Sequence, residues 1–264
     1  LVFLGQASQT INDARITRAL ANAEIYASGS GKTSKSNSFA VNHAALNRFV
    51  VTNTANAPLA AQTAGTAFNI KVVAQDTFAN IATSFNQFVT ITDLTNLNFN
   101  SGNFASGVLA SQNVTVNQTR ADNQLTVAGG APTKSGASNL FNVNPGALNG
   151  FTLDTISDQA TGSPFTITIR ARDAQNNLKT DFAGTVTMSD LTGTIAPATS
   201  APFNGGVGKE SVTITQPRAA NTITVIGGGK QGVSNTFNVQ ALLVDHFDIS
   251  AVNNLTAGAP FSVT

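Results

Sequence analysis

Few residues of this chain carry side chains suited to covalent or proton-transfer chemistry. Its 264 residues include no cysteine, two histidines (His43 and His246) and two glutamates (Glu24 and Glu210). A nucleophile, a base and a group to orient the base therefore have few candidates, and no enzyme is expected. Gly29-Ser30-Gly31-Lys32-Thr33 has the tail of a phosphate-binding loop. The full motif needs a glycine five residues before Gly31, where the chain has Tyr26, and a strand-to-helix setting. A hairpin loop is the expectation there. Asp76 with Asn80, and Asp173 with Asn176 and Asn177, offer oxygen ligands for Ca²⁺. The competing reading is a turn closed by Asp and Asn side chains. One carboxylate per turn is thin for an ion that takes about six to eight oxygens, so neither a metal nor another cofactor is expected.

The two acidic turns recur because the chain is a tandem array. Ser36-Asn37-Ser38-Phe39-Ala40-Val41, Ser138-Asn139-Leu140-Phe141-Asn142-Val143 and Ser234-Asn235-Thr236-Phe237-Asn238-Val239 are copies of one motif, at steps of 102 and 96. Seven residues then lead to Phe49, Phe151 and Phe247 respectively. Each copy reads as the last strand of one domain, a linker, and the first strand of the next. The boundaries are 1–43 (the C-terminal part of a domain), 44–145 and 146–241 (two complete domains) and 242–264 (the N-terminal part of another). With both end pieces incomplete and no initiator Met, the chain reads as a window from something longer. Completion of the ends by neighbouring molecules is the alternative.

Within the complete repeats, Phe68, Ile70, Val72 and Ala74 alternate with Asn69, Lys71 and Val73, and Phe165, Ile167, Ile169 and Ala171 alternate with Thr166, Thr168 and Arg170. Period-2 patterning marks a strand with one buried face. Phe68, Phe165, Val143, Val239, Ile91 and Met188 are expected in the core, with Lys71 and Arg170 outside. Residues 14–25 are the only stretch with a helical look. Alignment of Arg18–Ile25 with Arg120–Val127 makes them strand. About seven short strands per repeat, turn signals between them and no helical period imply an all-β chain of Greek-key β-sandwiches.

The residues Ala74 to Asn80 and Ala171 to Asn177 (Ala-x-Asp-x-x-x-Asn), Gly184-Thr185-Val186-Thr187, and the closing Gly-x-Ser-Asn-x-Phe-x-Val together resemble the bacterial immunoglobulin-like repeats of large secreted and cell-surface proteins. The resemblance covers most of residues 49–264 and part of 1–48. It implies tandem immunoglobulin-like domains used as stalks, spacers or adhesin shafts. The first repeat departs from the pattern at Ser84-Phe85-Asn86-Gln87-Phe88-Val89, without the Gly-Thr step. Similar domains carry Lys–Asn isopeptide crosslinks, which need a buried acid. Lys71 and Lys179 fall at polar positions, so none is expected.

The charge balance excludes other classes. Net charge is +1 and only 10% of residues are charged, against roughly 25% in ordinary domains. This gives no electrostatic footprint for nucleic acid, and no apolar run is long enough for a membrane span. Asn113-Val114-Thr115, Asn117-Gln118-Thr119 and Asn254-Leu255-Thr256 fit the glycosylation sequon, as chance allows in a chain so rich in Asn and Thr. The linkers keep their length while the repeat period drifts, and each holds an apolar pair: Ala45-Leu46, Ala147-Leu148 and Leu243-Val244. Leu46, Leu148 and Val244 are therefore expected to touch the neighbouring domain and fix one inter-domain angle. The expected function is a structural extracellular repeat protein, a rod, stalk or filament at the cell surface that self-associates. The alternatives are a ligand-binding adhesin for carbohydrate or protein, or a spacer array in a secreted hydrolase. An adhesin should have one divergent domain with exposed aromatics, and the sequence alone shows none.

Overall fold

The computed structural model describes residues 11–29, 31–242, 256–258, 260 and 262. The chain forms two compact units, 1–146 and 147–264. All regular structure among the described residues is β. No helix there is long and apolar enough to cross a membrane.

Unit one opens with a bent hairpin of β1 (Leu20–Ala23), β2 (Tyr26–Gly29), β3 (Lys32–Lys35) and β4 (Phe39–Val41), in which β1 pairs with β4 and β2 with β3. The stretch with the helical look thus contains β1. Its pairing corrects the sequence alignment by two residues. Leu20 faces Val41 as Arg120 faces Val143, so Leu20, not Arg18, is the counterpart of Arg120. The turn between β2 and β3 is two residues shorter than its later equivalent, and the shift ends there.

The rest of unit one is a sandwich of β5 (Leu46–Asn53), β6 (Gln62–Thr63), β7 (Ala67–Asp76), β8 (Thr90–Thr92), β9 (Asn98–Asn100), β10 (Val108–Thr115), β11 (Arg120–Asn123), β12 (Thr126–Gly129), β13 (Lys134–Ala137) and β14 (Phe141–Asn144). One sheet has the order β5-β7-β10. The facing layer joins β13-β12-β8-β9 to β11-β14-β6, because β11 and β12, like β13 and β14, are halves of one bent strand. Unit two repeats the plan with β15 (Leu148–Leu153), β16 (Gln159–Ala160), β17 (Phe165–Asp173), β18 (Thr187–Asp190), β19 (Val207–Val212), β20 (Arg218–Asn221), β21 (Ile223–Gly227), β22 (Lys230–Val233) and β23 (Phe237–Gln240). Its sheets are β15-β17-β19, β18-β21-β22 and β16-β23-β20. In each sandwich the short second strand pairs in parallel with the last strand, β6 with β14 and β16 with β23. Together with the two facing antiparallel layers, this is the immunoglobulin-like arrangement.

The alternating strands behave as their period requires. Ile70, Val72 and Ala74 of β7, and Ile167, Ile169 and Ala171 of β17, point into the two cores. Ile91, Val143, Met188 and Val239 are buried with them. Phe68 and Phe165, expected to be buried, are half-buried at the core margins, where their rings meet Phe141 and Phe237 edge-on. Phe68 is the second residue of β7 and Phe165 the first of β17, so both lie where their strands begin. The outer positions are half-exposed: Lys71 reaches Asn56 Oδ1 at 2.9 Å, and Arg170 forms an ion pair with Asp154 at 3.0 Å. Lys179 pairs with Asp181 at 2.8 Å.

The recurring Ser-Asn-x-Phe motif has a mechanical explanation. Ser138 Oγ accepts the Leu125 N–H at 3.1 Å and donates to Asn139 O at 2.7 Å, filling the bend between β13 and β14. The Asn139 amide then copies a strand partner: Oδ1 accepts Leu59 N–H at 2.7 Å and Nδ2 donates to Leu59 O at 2.9 Å. Ser234 and Asn235 repeat this against Ile223 and Ile156. The preceding glycine is needed for a close crossing. A Cβ on Gly136 would collide with the carbonyl of Phe49, and one on Gly232 with that of Phe151.

Candidate inter-module junction

The four residues first considered as metal ligands form two turns. At the end of β7, Asp76 Oδ1 accepts the N–H groups of Phe78 and Asn80 at 2.8 and 2.9 Å. Oδ2 accepts Asn80 Nδ2 and the Ala44 N–H, both at 2.9 Å. Asp76 is buried. With N–H donors aimed at both oxygens, hydrogen bonds stabilise the charged carboxylate, which is the arrangement of a capped Asx turn. Among the described residues no cluster of three His, Cys, Asp or Glu side chains offers a metal a site. Ala79 sits at φ 67°, a left-handed conformation that an alanine adopts at a cost of about 1–2 kcal/mol. The hydrogen bonds converging on Asp76 hold it there. Burial alone would raise the Asp76 pKa, but the bonds from Asn80, Ala44 and Phe78 outweigh it and hold the carboxyl at about 2.

The turn reaches beyond its own sandwich. Ala44 belongs to the connection between β4 and β5. Asn80 Oδ1 accepts the Ala19 N–H at 2.9 Å, and its Nδ2 donates to Thr17 O at 2.8 Å. The Ser84 N–H points at His43 Nε2 at 3.3 Å, while His43 Nδ1 lies 2.6 Å from Ala44 O. The neutral Nδ1–H tautomer satisfies both contacts at once. Asp76, Asn80 and Ser84 thus bind the entrance of the N-terminal hairpin and the connection that leaves it. In unit two, Asp173 Oδ1 accepts Gln175 and Asn177 N–H at 3.0 and 2.7 Å, and Asn177 Nδ2 donates to Asp173 Oδ2 at 2.9 Å.

The apolar residues expected to plug the linkers have work inside their own sandwiches. Leu46 is the first residue of β5 and Leu148 the first of β15. Each is half-buried against the core of its own domain. Val244 lies outside the described residues, as does His246.

A second pair of polar latches had no signal in any single motif. Asp93 binds Thr95 and Leu97 N–H at 2.7 and 2.9 Å and accepts Asn123 Nδ2 at 2.9 Å, while Asn123 Oδ1 takes the Leu94 N–H at 3.2 Å. Asp190 and Asn221 repeat the arrangement. Burial pushes the pKa of both acids up, and the bonds from Thr95 and Asn123, or Thr192 and Asn221, bring it below the ordinary value. Asn123 and Asn221 are fully buried. Self-alignment would have matched Asp93 with Asp190 and Asn123 with Asn221, which was the available clue.

No family model matches the sequence, and no curated protein does. Solved structures do show a likeness. Domains 4 and 5 of the S-layer protein SbsC align over 74% of this chain and 99% of theirs, with 16% identity and a TM-score of 0.30. The Escherichia coli adhesin FdeC aligns over 84% of this chain and 74% of its own, with 16% identity and a TM-score of 0.37. A β-glycosidase from Bacteroides vulgatus aligns over 73% of this chain but only 25% of its own length, with 11% identity and a TM-score of 0.30. At these values the likeness carries neither architecture nor role over to this chain.

Proposed function

We propose that the chain is a structural segment of an extracellular, cell-surface repeat protein, a rod, stalk or filament built from immunoglobulin-like sandwiches and assembling by self-association. The observation that carries this reading is the junction within unit one. A flexible tether has no use for a buried carboxylate bonded to the connecting residue Ala44, or for an amide bonded to both Thr17 and Ala19. Such bonds restrain the angle between the hairpin and the sandwich. The same turn recurs at Asp173–Asn177, and in the sequence Leu46, Leu148 and Val244 belong to the connecting stretches. A surface of Thr, Asn and Ser with little net charge suits lateral packing, since little like-charge repulsion separates neighbouring chains. Catalysis has no part in this reading.

Electron microscopy of the purified protein tests it. Rods or filaments of uniform width are expected, with a shorter persistence length when Asp76→Asn and Asn80→Ala are combined. Beads joined at random angles in the unaltered protein would refute it.

A further inference from the structure

Within the stretch that departs from the repeat pattern, Ser84 to Val89, the residues Asn86, Gln87 and Phe88 line an open groove of about 730 Å³ on the first sandwich. Phe88 is 51% exposed there, so one domain does carry the exposed aromatic that the sequence had not revealed. Beside it stand Gln87, Thr90, Asn103 and Thr133, over a floor of Ala128, Gly129 and Gly130. A smaller groove of about 460 Å³ shares Asn86, Gln87 and Gly130 and continues past Leu46. Asn86 is committed to the fold, because its Oδ1 accepts the Ser106 N–H at 2.8 Å. Among the described residues nothing bonds to the side-chain amides of Gln87 or Asn103.

The fold does not require this surface. The second sandwich builds β18 and β21, the counterparts of β8 and β12, with Ala183, Gly184 and Thr185 where the first has Asn86, Gln87 and Phe88. Its turn between β21 and β22 is Gly228-Gly229, whereas the first sandwich spans Gly130 to Thr133 between β12 and β13. Both sandwiches anchor the stretch alike, through T-shaped trios of Phe49, Phe85 and Phe104 or Phe151, Phe182 and Phe203. The amides, the exposed ring and the longer turn are additions to a common frame.

We infer that this groove binds a neutral saccharide. None of the lining residues is charged, so neither an anionic nor a cationic ligand would find a counter-charge. Free side-chain amides present a donor and an acceptor side by side, the pattern that adjacent sugar hydroxyls match. The face of Phe88 offers an apolar platform for the C–H face of a pyranose ring. The volume lies in the range of small-ligand sites. A peptide adding as a strand would need an open edge, but β8 and β12 each already have two neighbours.

The inference goes beyond the structural reading and stands or falls separately, because microscopy reads assembly and a binding assay reads the groove. The whole chain would be examined by saturation-transfer NMR against cellotetraose, chitotetraose, mannotetraose and N-acetyllactosamine, with sialyllactose and a heparin hexasaccharide as acidic counterparts. Transfer to ring protons of at least one neutral sugar is expected. Phe88→Thr, which installs the residue of the second sandwich, should weaken that binding about tenfold or more, and Gln87→Ala should weaken it too. Both positions are exposed, so thermal unfolding of the variants should match the parent. Transfer to acidic sugars only, no transfer to any neutral sugar, or binding unchanged in both variants would overturn the inference.

Discussion

Replacing Asp76 by Asn separates the junction from the turn. The new Oδ1 keeps the acceptor position for Phe78 and Asn80 N–H, so the turn survives. The new amide nitrogen, however, faces two donors, the Ala44 N–H and Asn80 Nδ2, where a carboxylate oxygen stood 2.9 Å from each. Two attractive contacts become donor–donor contacts. The carboxyl's fall from 3.8 to about 2 corresponds to at most about 2–3 kcal/mol of stability. Because the folded-state pKa is depressed, this contribution is complete above pH 3.8 and is lost as pH falls toward 2. Urea unfolding followed by circular dichroism suits a chain without tryptophan. At pH 7 the variant should lose about 1–2 kcal/mol. The difference between parent and variant should shrink between pH 4 and 2, while the acid sensitivity due to Asp93 and Asp190 remains in both. A variant as stable as its parent at pH 7, or a difference independent of pH, would refute the assigned role of the carboxylate.

Gly232→Ala should destabilise unit two by about 2 kcal/mol or more, because the added methyl meets the rigid carbonyl of Phe151 and the strands must separate; urea titration reads this directly. Asn235→Ala should cost about 2 kcal/mol by leaving the N–H and C=O of buried Ile156 without their partners. Faster amide exchange at Ile156 would locate that loss.

Period-2 strands were legible because each reports on its own burial: Ile167, Ile169 and Ala171 need only a facing sheet, whatever residues it contains. The Asp-x-x-x-Asn turn was legible for the same reason, since Asp76 and Asn80 are four residues apart and bond to each other. What stayed hidden depends on distant partners. Asn139 was visible as a recurring residue, but its partner Leu59 is 80 positions away. Thr17 and Ala19 are backbone partners of Asn80, and backbone groups leave no trace in residue type. The linker leucines show a related limit: an apolar residue announces that it will be covered, not by which side chains, and the cores of their own sandwiches account for part of the cover on Leu46 and Leu148. Phe88 was passed over because a strand-rich sequence with many phenylalanines gives no sign of which are left uncovered.

The parallel pairing of the short early strand with the last strand decides how each sandwich responds to a pull along the chain. Tension enters through β5, reaches β6 next and leaves through β14, or passes through β15 and β16 to β23 in unit two. Because the paired strands run in the same direction, the force drags them in opposite directions past each other. Their hydrogen bonds, and the amide bridges from Asn139 to Leu59 and from Asn235 to Ile156, are then strained together in shear instead of opening one after another like a zip. A two-residue strand that adds little at equilibrium becomes the part that must fail before anything beyond β5 or β15 can lengthen.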